Sequence, residues 1–352
     1  MNPAFIYEIN PGRILFGPGK AQAVAEEIER LGAKRALILA TPFQRADAQR
    51  LAERVGPLAA GVFSEAAMHT PVDVTLRALD AYRASDADCV VALGGGSTIG
   101  LGKAIAWRNG APQIVVATTY AGSEVTPILG QTENGIKTTI RDPRILPEVV
   151  IYDPTLTVAL PVPMSITSGL NAMAHAVEAV YARDRNPVST LMAVEGVRAL
   201  HDALPAITAR PDDLDARTLA LYGSWLCGSV LGTVGMSLHH KLCHTLGGSF
   251  DLAHAQTHAI MLPHSVAYNA PAAARELEPL AAFFGESIGS GLHEFARSLD
   301  APLALKELGL QEAQLDLAAD LAVKNPYWNP RPVEREAVRS LLQRAWEGAR
   351  PE

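Results

Sequence analysis

Val90-Val-Ala-Leu-Gly94-Gly95-Gly96-Ser97-Thr98-Ile-Gly100-Leu-Gly102-Lys103 is the stretch whose reading decides the fold. An aliphatic run leads into three glycines, and residues compatible with a helix resume at once, so the order reads as buried strand, glycine turn and helix start. Glycines let the backbone approach a phosphate closely, and the N–H groups opening a helix favour an anion. Gly94, Gly95, Gly96, Ser97 and Thr98 are therefore candidate phosphate contacts, with Lys103 further along the helix as a candidate cation. A bare glycine turn is often only structural, but the strand–helix context favours phosphate.

The flanking sequence repeats the same unit. Residues 35–40, 89–93 and 113–117 read as buried strands, and 20–31, 46–55 and 73–84 read as amphipathic helices. This alternation predicts a doubly wound, mainly parallel sheet that binds a nucleotide outside the carboxyl ends of its strands. Thr118 and Thr119 follow the strand 113–117 and join the candidate cofactor contacts; as turn hydroxyls they would merely satisfy local backbone. The strand 35–40 ends in Ala40-Thr41-Pro42. Thr41 stands where dinucleotide folds often carry a carboxylate for the ribose, so weak discrimination between NADH and NADPH is expected. A Pro-rich passage, Leu160-Pro-Val-Pro-Met164, then changes the character of the chain to Ala-, Leu- and Glu-rich sequence with helical spacing. The expected division is an α/β domain over 1–159 and an all-α domain over 160–352, with the active site in the cleft between them.

The bulk numbers agree with a two-domain enzyme: 352 residues, 48% hydrophobic and 19% charged. A net charge of −7 leaves no basic surplus for nucleic acid. Apolar runs fall short of a membrane span, and the first residues lack a secretory pattern. Cys89, Cys227 and Cys243, widely spaced, fit a reducing cytoplasm.

Six of the ten histidines lie in one 26-residue window: His239, His240, His244, His254, His258 and His264. A seventh, His175, follows Asn171 by four residues, the same spacing as His240 and His244, so on helices each pair shares a face. His254 is expected beyond a break at Gly247-Gly248. His175, His240 and His254 could surround one point. As a metal site they lack a carboxylate, because the fourth donor is the neutral amide of Asn171. As a metal-free site they could bind an anion and move a proton. His239, His258 and His264 fit structural roles better.

Together these residues resemble the iron-containing alcohol dehydrogenase family, along with Phe16-Gly-Pro-Gly19, Gly122-Ser-Glu124 and Val150-Ile-Tyr-Asp153-Pro. The resemblance covers nearly the whole chain. It implies the dehydroquinate synthase-like architecture, NADH or NADPH as cofactor, metal ligands at positions matching Asn171, His175, His240 and His254, and a substrate-side histidine at His244. It also implies a cytoplasmic homodimer paired through a strand at Phe5–Ile9. The family pattern usually has Asp at the positions of Asn171 and Gly100. Both departures look like the branch that reduces maleylacetate to 3-oxoadipate in bacterial degradation of aromatic compounds. So do Glu133-Asn-Gly-Ile-Lys137 and Asn325-Pro-Tyr327-Trp-Asn329-Pro-Arg331.

That resemblance implies a small dicarboxylate substrate and no tightly bound metal. Hydride would add at C2, β to the ketone, and C3 of the resulting enolate would take a proton. Asn171, His175, His240, Lys137 and Arg331 are expected to hold the carboxylates and ketone. His244 is the first candidate proton donor, with Tyr327 and His254 beside it, and His69 is a further candidate near the nicotinamide. The alternatives are a metal-dependent alcohol or aldehyde reductase of the parent family, a lyase of the dehydroquinate synthase type, and a non-catalytic nucleotide binder.

Overall fold

The structure, a computed structural model, describes residues 5–7, 10, 12–133 and 135–352. It contains two compact units, Ile9–Leu160 and Pro161–Glu352, the described residues 5–7 grouping with the second. The boundary was expected one residue earlier, and residues 5–7 with the α/β domain. Residues 8 and 9 of the expected strand Phe5–Ile9 lie outside the described residues, and 5–7 carry no strand.

The first unit holds strands β1 (Arg13–Phe16), β2 (Ala36–Leu39), β3 (Ala59–Phe63), β4 (Cys89–Gly94), β5 (Gln113–Ala117), β6 (Ile128–Glu133), β7 (Ile136–Arg141) and β8 (Val149–Tyr152). Its helices are α1 (Val24–Arg30), α2 (Arg45–Val55), α3 (Val72–Ala84) and α4 (Gly96–Asn109). Six strands form one parallel sheet in the order β1-β8-β5-β4-β2-β3, and β6-β7 is a separate antiparallel hairpin. Alternate residues of β2 and β4 enter two cores, and β5 and β8 add to the first of them. Ile38, Val91, Ile114 and Ile151 meet Val24, Ile28 and Leu51 from α1 and α2. Leu37, Leu39 and Val90 meet Leu79, Leu101 and Ile105 from α3 and α4. Each such side chain contributes about 1.5–3 kcal/mol by leaving water, so a one-residue slip of register, which exchanges the faces, is strongly disfavoured. Gly94 pairs with Ala117 and Ala117 with Tyr152, so the turns leaving β4 and β5 begin side by side.

The second unit is helical: α5 (Val162–Val180), α6 (Pro187–Ala209), α7 (Leu214–Thr233), α8 (Leu238–Phe250), α9 (His254–Leu277), α10 (Ala281–Phe284), α11 (Ile288–Ser298), α12 (Leu315–Val323) and α13 (Arg335–Glu347). Every residue of α5 from Ser165 to Val180 is buried. Polar groups on that helix must therefore find partners inside the protein. The break before His254 is not at Gly247-Gly248, which lie within α8; Asp251, in the left-handed region at φ 54°, ends the helix instead. No single described helix is long and apolar enough to cross a membrane.

Candidate active site

In the α/β unit the glycine turn is open on one side and closed on the other. Gly94 has φ 155°, and a Cβ there would lie 2.5 Å from Thr98 Oγ1; at Gly95 it would lie 2.6 Å from Thr119 Oγ1. A Cβ on Gly96 would meet nothing within 4 Å, and no side chain caps the start of α4. The cradle and the uncapped helix N-terminus fit a diphosphate, with Ser97 half-buried beside them. Gln44 ties this region together: it accepts from Thr41 Oγ1 (3.2 Å) and donates to Thr118 Oγ1 (3.0 Å). Arg45, exposed at the start of α2, donates to Ser64 Oγ (2.8 Å).

Two expected cofactor contacts are corrected. Thr98 is fully buried beneath Gly94. Lys103 is also fully buried, and its Nζ donates to Ser123 O, Ser123 Oγ, Thr126 Oγ1 and Ile128 O at 2.5–3.2 Å. Burial pushes its ammonium down to about 7, opposed by nearby Glu124. Lys103 therefore anchors the turn 123–128. Glu124, likewise buried and raised by burial, accepts from Tyr152 OH at 2.9 Å. Lys137 Nζ lies 3.4 Å from His69 Nδ1, and His69 has a strained φ of 63°. Gly100, where the family pattern has Asp, is explained by packing: a Cβ would sit 2.3 Å from Thr70 Oγ1.

In the helical unit α5 and α8 bring Asn171, His175 and His240 into one buried line. Asn171 Nδ2 is 3.5 Å from His175 Nε2, and His175 Nδ1 is 2.9 Å from His240 Nε2. The line ends on a residue that sequence reasoning missed, Glu178, whose Oε2 is 2.6 Å from His240 Nδ1. Glu178 also accepts from the backbone N–H groups of Ser237 (2.9 Å) and His239 (2.8 Å). A carboxylate only accepts, so it fixes the tautomers in turn. His240 carries its proton on Nδ1, His240 Nε2 accepts from His175 Nδ1–H, and His175 Nε2 faces the amide of Asn171. Burial holds His240 neutral, down to about 3, and raises Glu178. The signal for Glu178 was its spacing, one turn beyond His175 on the same helix.

His244 and Tyr327 meet: Nδ1 to OH is 3.0 Å. Burial, and then the charge of Glu178, raises the Tyr327 phenol, which keeps its proton. Lys241, another residue that was missed, places its Nζ 5.9 Å from the centre of the Tyr327 ring. His254 reaches the group through His258, whose ring lies 4.3 Å from it and 5.1 Å from His240. Arg331 is a correction. Its Nη1 donates to Tyr268 O (3.0 Å) and its guanidinium stacks 4.3 Å over the Tyr268 ring, so it secures the loop that carries Tyr327.

Positions 171, 175, 240 and 254 offer a divalent ion three imidazoles and a neutral amide, a donor set one negative charge short of the carboxylate that the family pattern has at position 171.

Comparison with known proteins agrees with this architecture. Residues 11–154 match the iron-containing alcohol dehydrogenase family, and residues 165–346 match its C-terminal domain. The chain is 66% identical over 348 residues, 99% of each chain, to the maleylacetate reductase of Rhizobium sp. (strain MTP-10005). It is 53% identical over 350 residues, again 99% of each, to the maleylacetate reductase of Burkholderia cepacia. The crystal structure of maleylacetate reductase from Agrobacterium tumefaciens superposes with a TM-score of 0.96 at 65% identity, covering all of both chains. The chain belongs to the iron-containing alcohol dehydrogenase family.

Proposed function

We propose that this protein is an oxidoreductase that reduces the carbon–carbon double bond of maleylacetate to give 3-oxoadipate, with NADH or NADPH, in bacterial breakdown of aromatic compounds. Its full-length identity to maleylacetate reductases supports the reaction. The observation that carries the reading is Asn171. It puts a neutral amide, linked through two imidazoles to Glu178, where the family pattern usually has Asp.

The cofactor, when bound, supplies a hydride. Gly94–Gly96 and Ser97 hold its diphosphate, Thr118 and Thr119 line the same side, and Thr41 leaves room at the ribose. Arg45, held by Ser64, offers a cation to a 2′-phosphate, so both cofactor forms are accepted. Addition of hydride at C2 of the substrate leaves an enolate, and C3 then takes a proton. Asn171 Nδ2–H and the neutral imidazole of His254 donate to the ketone and carboxylate oxygens, while His175 and His240, whose N–H groups are committed along the line to Glu178, hold Asn171 in place. Burial keeps His240 from serving as a cation, so Lys241, beside the Tyr327 ring, supplies the positive charge. His244 delivers the proton to C3. Tyr327 OH donates to its Nδ1 when the imidazole is neutral and accepts from it when protonated, so both states stay oriented. Cys89, Cys227 and Cys243 are buried thiols, which suits a reducing cytoplasm.

The test is oxidation of NADH and of NADPH by purified protein with maleylacetate after exhaustive chelation. Continued turnover with formation of 3-oxoadipate is expected. Activity that disappears and returns only with added Fe2+ or Zn2+ would place the protein with the metal-dependent dehydrogenases.

A further inference from the structure

Beside the line from Asn171 to Glu178 lies a second set of donors that the proposed reaction leaves unused. His239 and Cys243 are one turn apart on α8, each one residue before His240 and His244, and His258 is one turn past His254 on α9. Among the described residues, these three form the group of histidine, cysteine and acidic side chains whose donor atoms all lie within 4.8 Å of one another. His239 Nε2 is 2.9 Å from His258 Nδ1 and 3.6 Å from Cys243 Sγ. His239 and His258 are 0% exposed and Cys243 1%. His239 Nδ1 and His258 Nε2, the nitrogens facing away from this contact, are buried without a hydrogen-bond partner, so the side-chain polar contacts of the two rings converge on the three donor atoms.

We propose that His239 Nε2, Cys243 Sγ and His258 Nδ1 bind a thiophilic cation, Zn2+ or Cd2+, at a site separate from positions 171, 175, 240 and 254. Two imidazoles and a thiolate select such ions over oxygen-seeking Mg2+ or Ca2+. A tetrahedral ion bound to nitrogen and sulfur sets them about 3.6 Å apart and two nitrogens about 3.3 Å apart. The sulfur already stands at that distance from His239 Nε2. The two imidazoles must part by about 0.4 Å from their 2.9 Å contact. On binding, the Cys243 thiol releases its proton to solvent, and the hydrogen shared by the imidazoles moves to an outer nitrogen. Neither step is a redox change.

Occupancy breaks the His239–His258 hydrogen bond and displaces His258, whose ring lies 4.3 Å from His254, 5.1 Å from His240 and 5.9 Å from His175. The ion is therefore an inhibitor. That consequence rests on the function proposed above; the binding does not.

The experiment titrates chelator-stripped, full-length protein with Cd2+ alone, read by the ultraviolet thiolate-to-cadmium charge-transfer band and by calorimetry. One bound equivalent with the band is expected. Cys243→Ala should abolish the band and weaken binding at least roughly ten-fold, and His258→Gln should weaken it similarly. Asn171→Ala and His254→Ala should keep the band. The proposal is overturned by native protein that shows no band, by a band that survives Cys243→Ala, or by one lost in His254→Ala. Circular dichroism of each variant identifies any that does not fold, and the native protein and the other variants then decide. A band with unchanged turnover of maleylacetate overturns the inhibition and keeps the site. A band in a protein that never turns over maleylacetate counts against the functional reading and keeps the site.

Discussion

Glu178 governs the chemistry available at single residues. Its carboxylate takes N–H groups from Ser237, His239 and His240, and through His240 it decides which nitrogen of His175 carries a proton. Glu178→Gln offers His240 an amide that can donate as well as accept, so the tautomers along the line are no longer fixed. The expected result is a loss of roughly 10- to 100-fold in kcat/KM with an unchanged circular dichroism spectrum and a shifted pH profile. A variant with wild-type pH profile and rate would make Glu178 a structural residue only. His244→Ala should lower kcat by roughly 10²-fold through loss of the general acid, and single-turnover measurement would locate the loss in the chemical step. An unchanged kcat would remove His244 from the mechanism. His244 and Tyr327 were both legible as candidates from composition and motif. Their contact was not, because it joins residues 83 positions apart.

At the scale of elements, the loop between α12 and α13 positions Tyr327. Two amides pin it: Asn269 Nδ2 donates to Asn329 Oδ1 (2.9 Å), and Asn329 Nδ2 donates to Asn269 Oδ1 (2.7 Å) and to Arg331 O (2.6 Å). Asn269 is fully buried on α9. Asn329→Ala strands that amide, which costs about 1–3 kcal/mol. The expected outcome is a lower Tm together with a lower kcat, since Tyr327 loses its fixed approach to His244. A fall in Tm with kcat intact would separate the loop from catalysis. The motif 325–331 stood out in the sequence as a functional segment, yet Arg331 was read as a substrate cation. Its neighbour across the fold, Tyr268, is what makes it a clamp, and linear spacing carries no trace of that pairing. Lys103 was misread for the same reason: a lysine after a glycine turn looks available for phosphate until the carbonyls of 123–128 are seen around it.

On the scale of the whole molecule, buried neutral imidazoles make stability depend on pH. His239, His240 and His264 are held at about 3 by burial, and His258 well below its usual 6.5. Above 6.5 these groups are neutral whether folded or unfolded. Between 6.5 and 3 the unfolded chain binds the extra protons, so stability is lost as pH falls, by about 1.4 kcal/mol per pH unit for each group. Glu178, raised by burial, acts in the opposite sense, and four groups outweigh one. Urea unfolding followed across that window should show the decline, and His264→Gln, away from the proposed site, should make it shallower by about one proton. Equal slopes would mean that His264 is not a neutral buried group. The sequence by itself determined the parallel sheet, the glycine turn, the helical second half and the crowd of histidines around Asn171. These rest on local periodicity, turn chemistry and residue type, which act over a few positions. Only the tertiary structure decided that Glu178 fixes the tautomers, that Lys103 and Arg331 are anchors, and that His239, Cys243 and His258 converge. Each of those depends on burial against distant segments, and burial sets which polar groups must pair and which stay neutral.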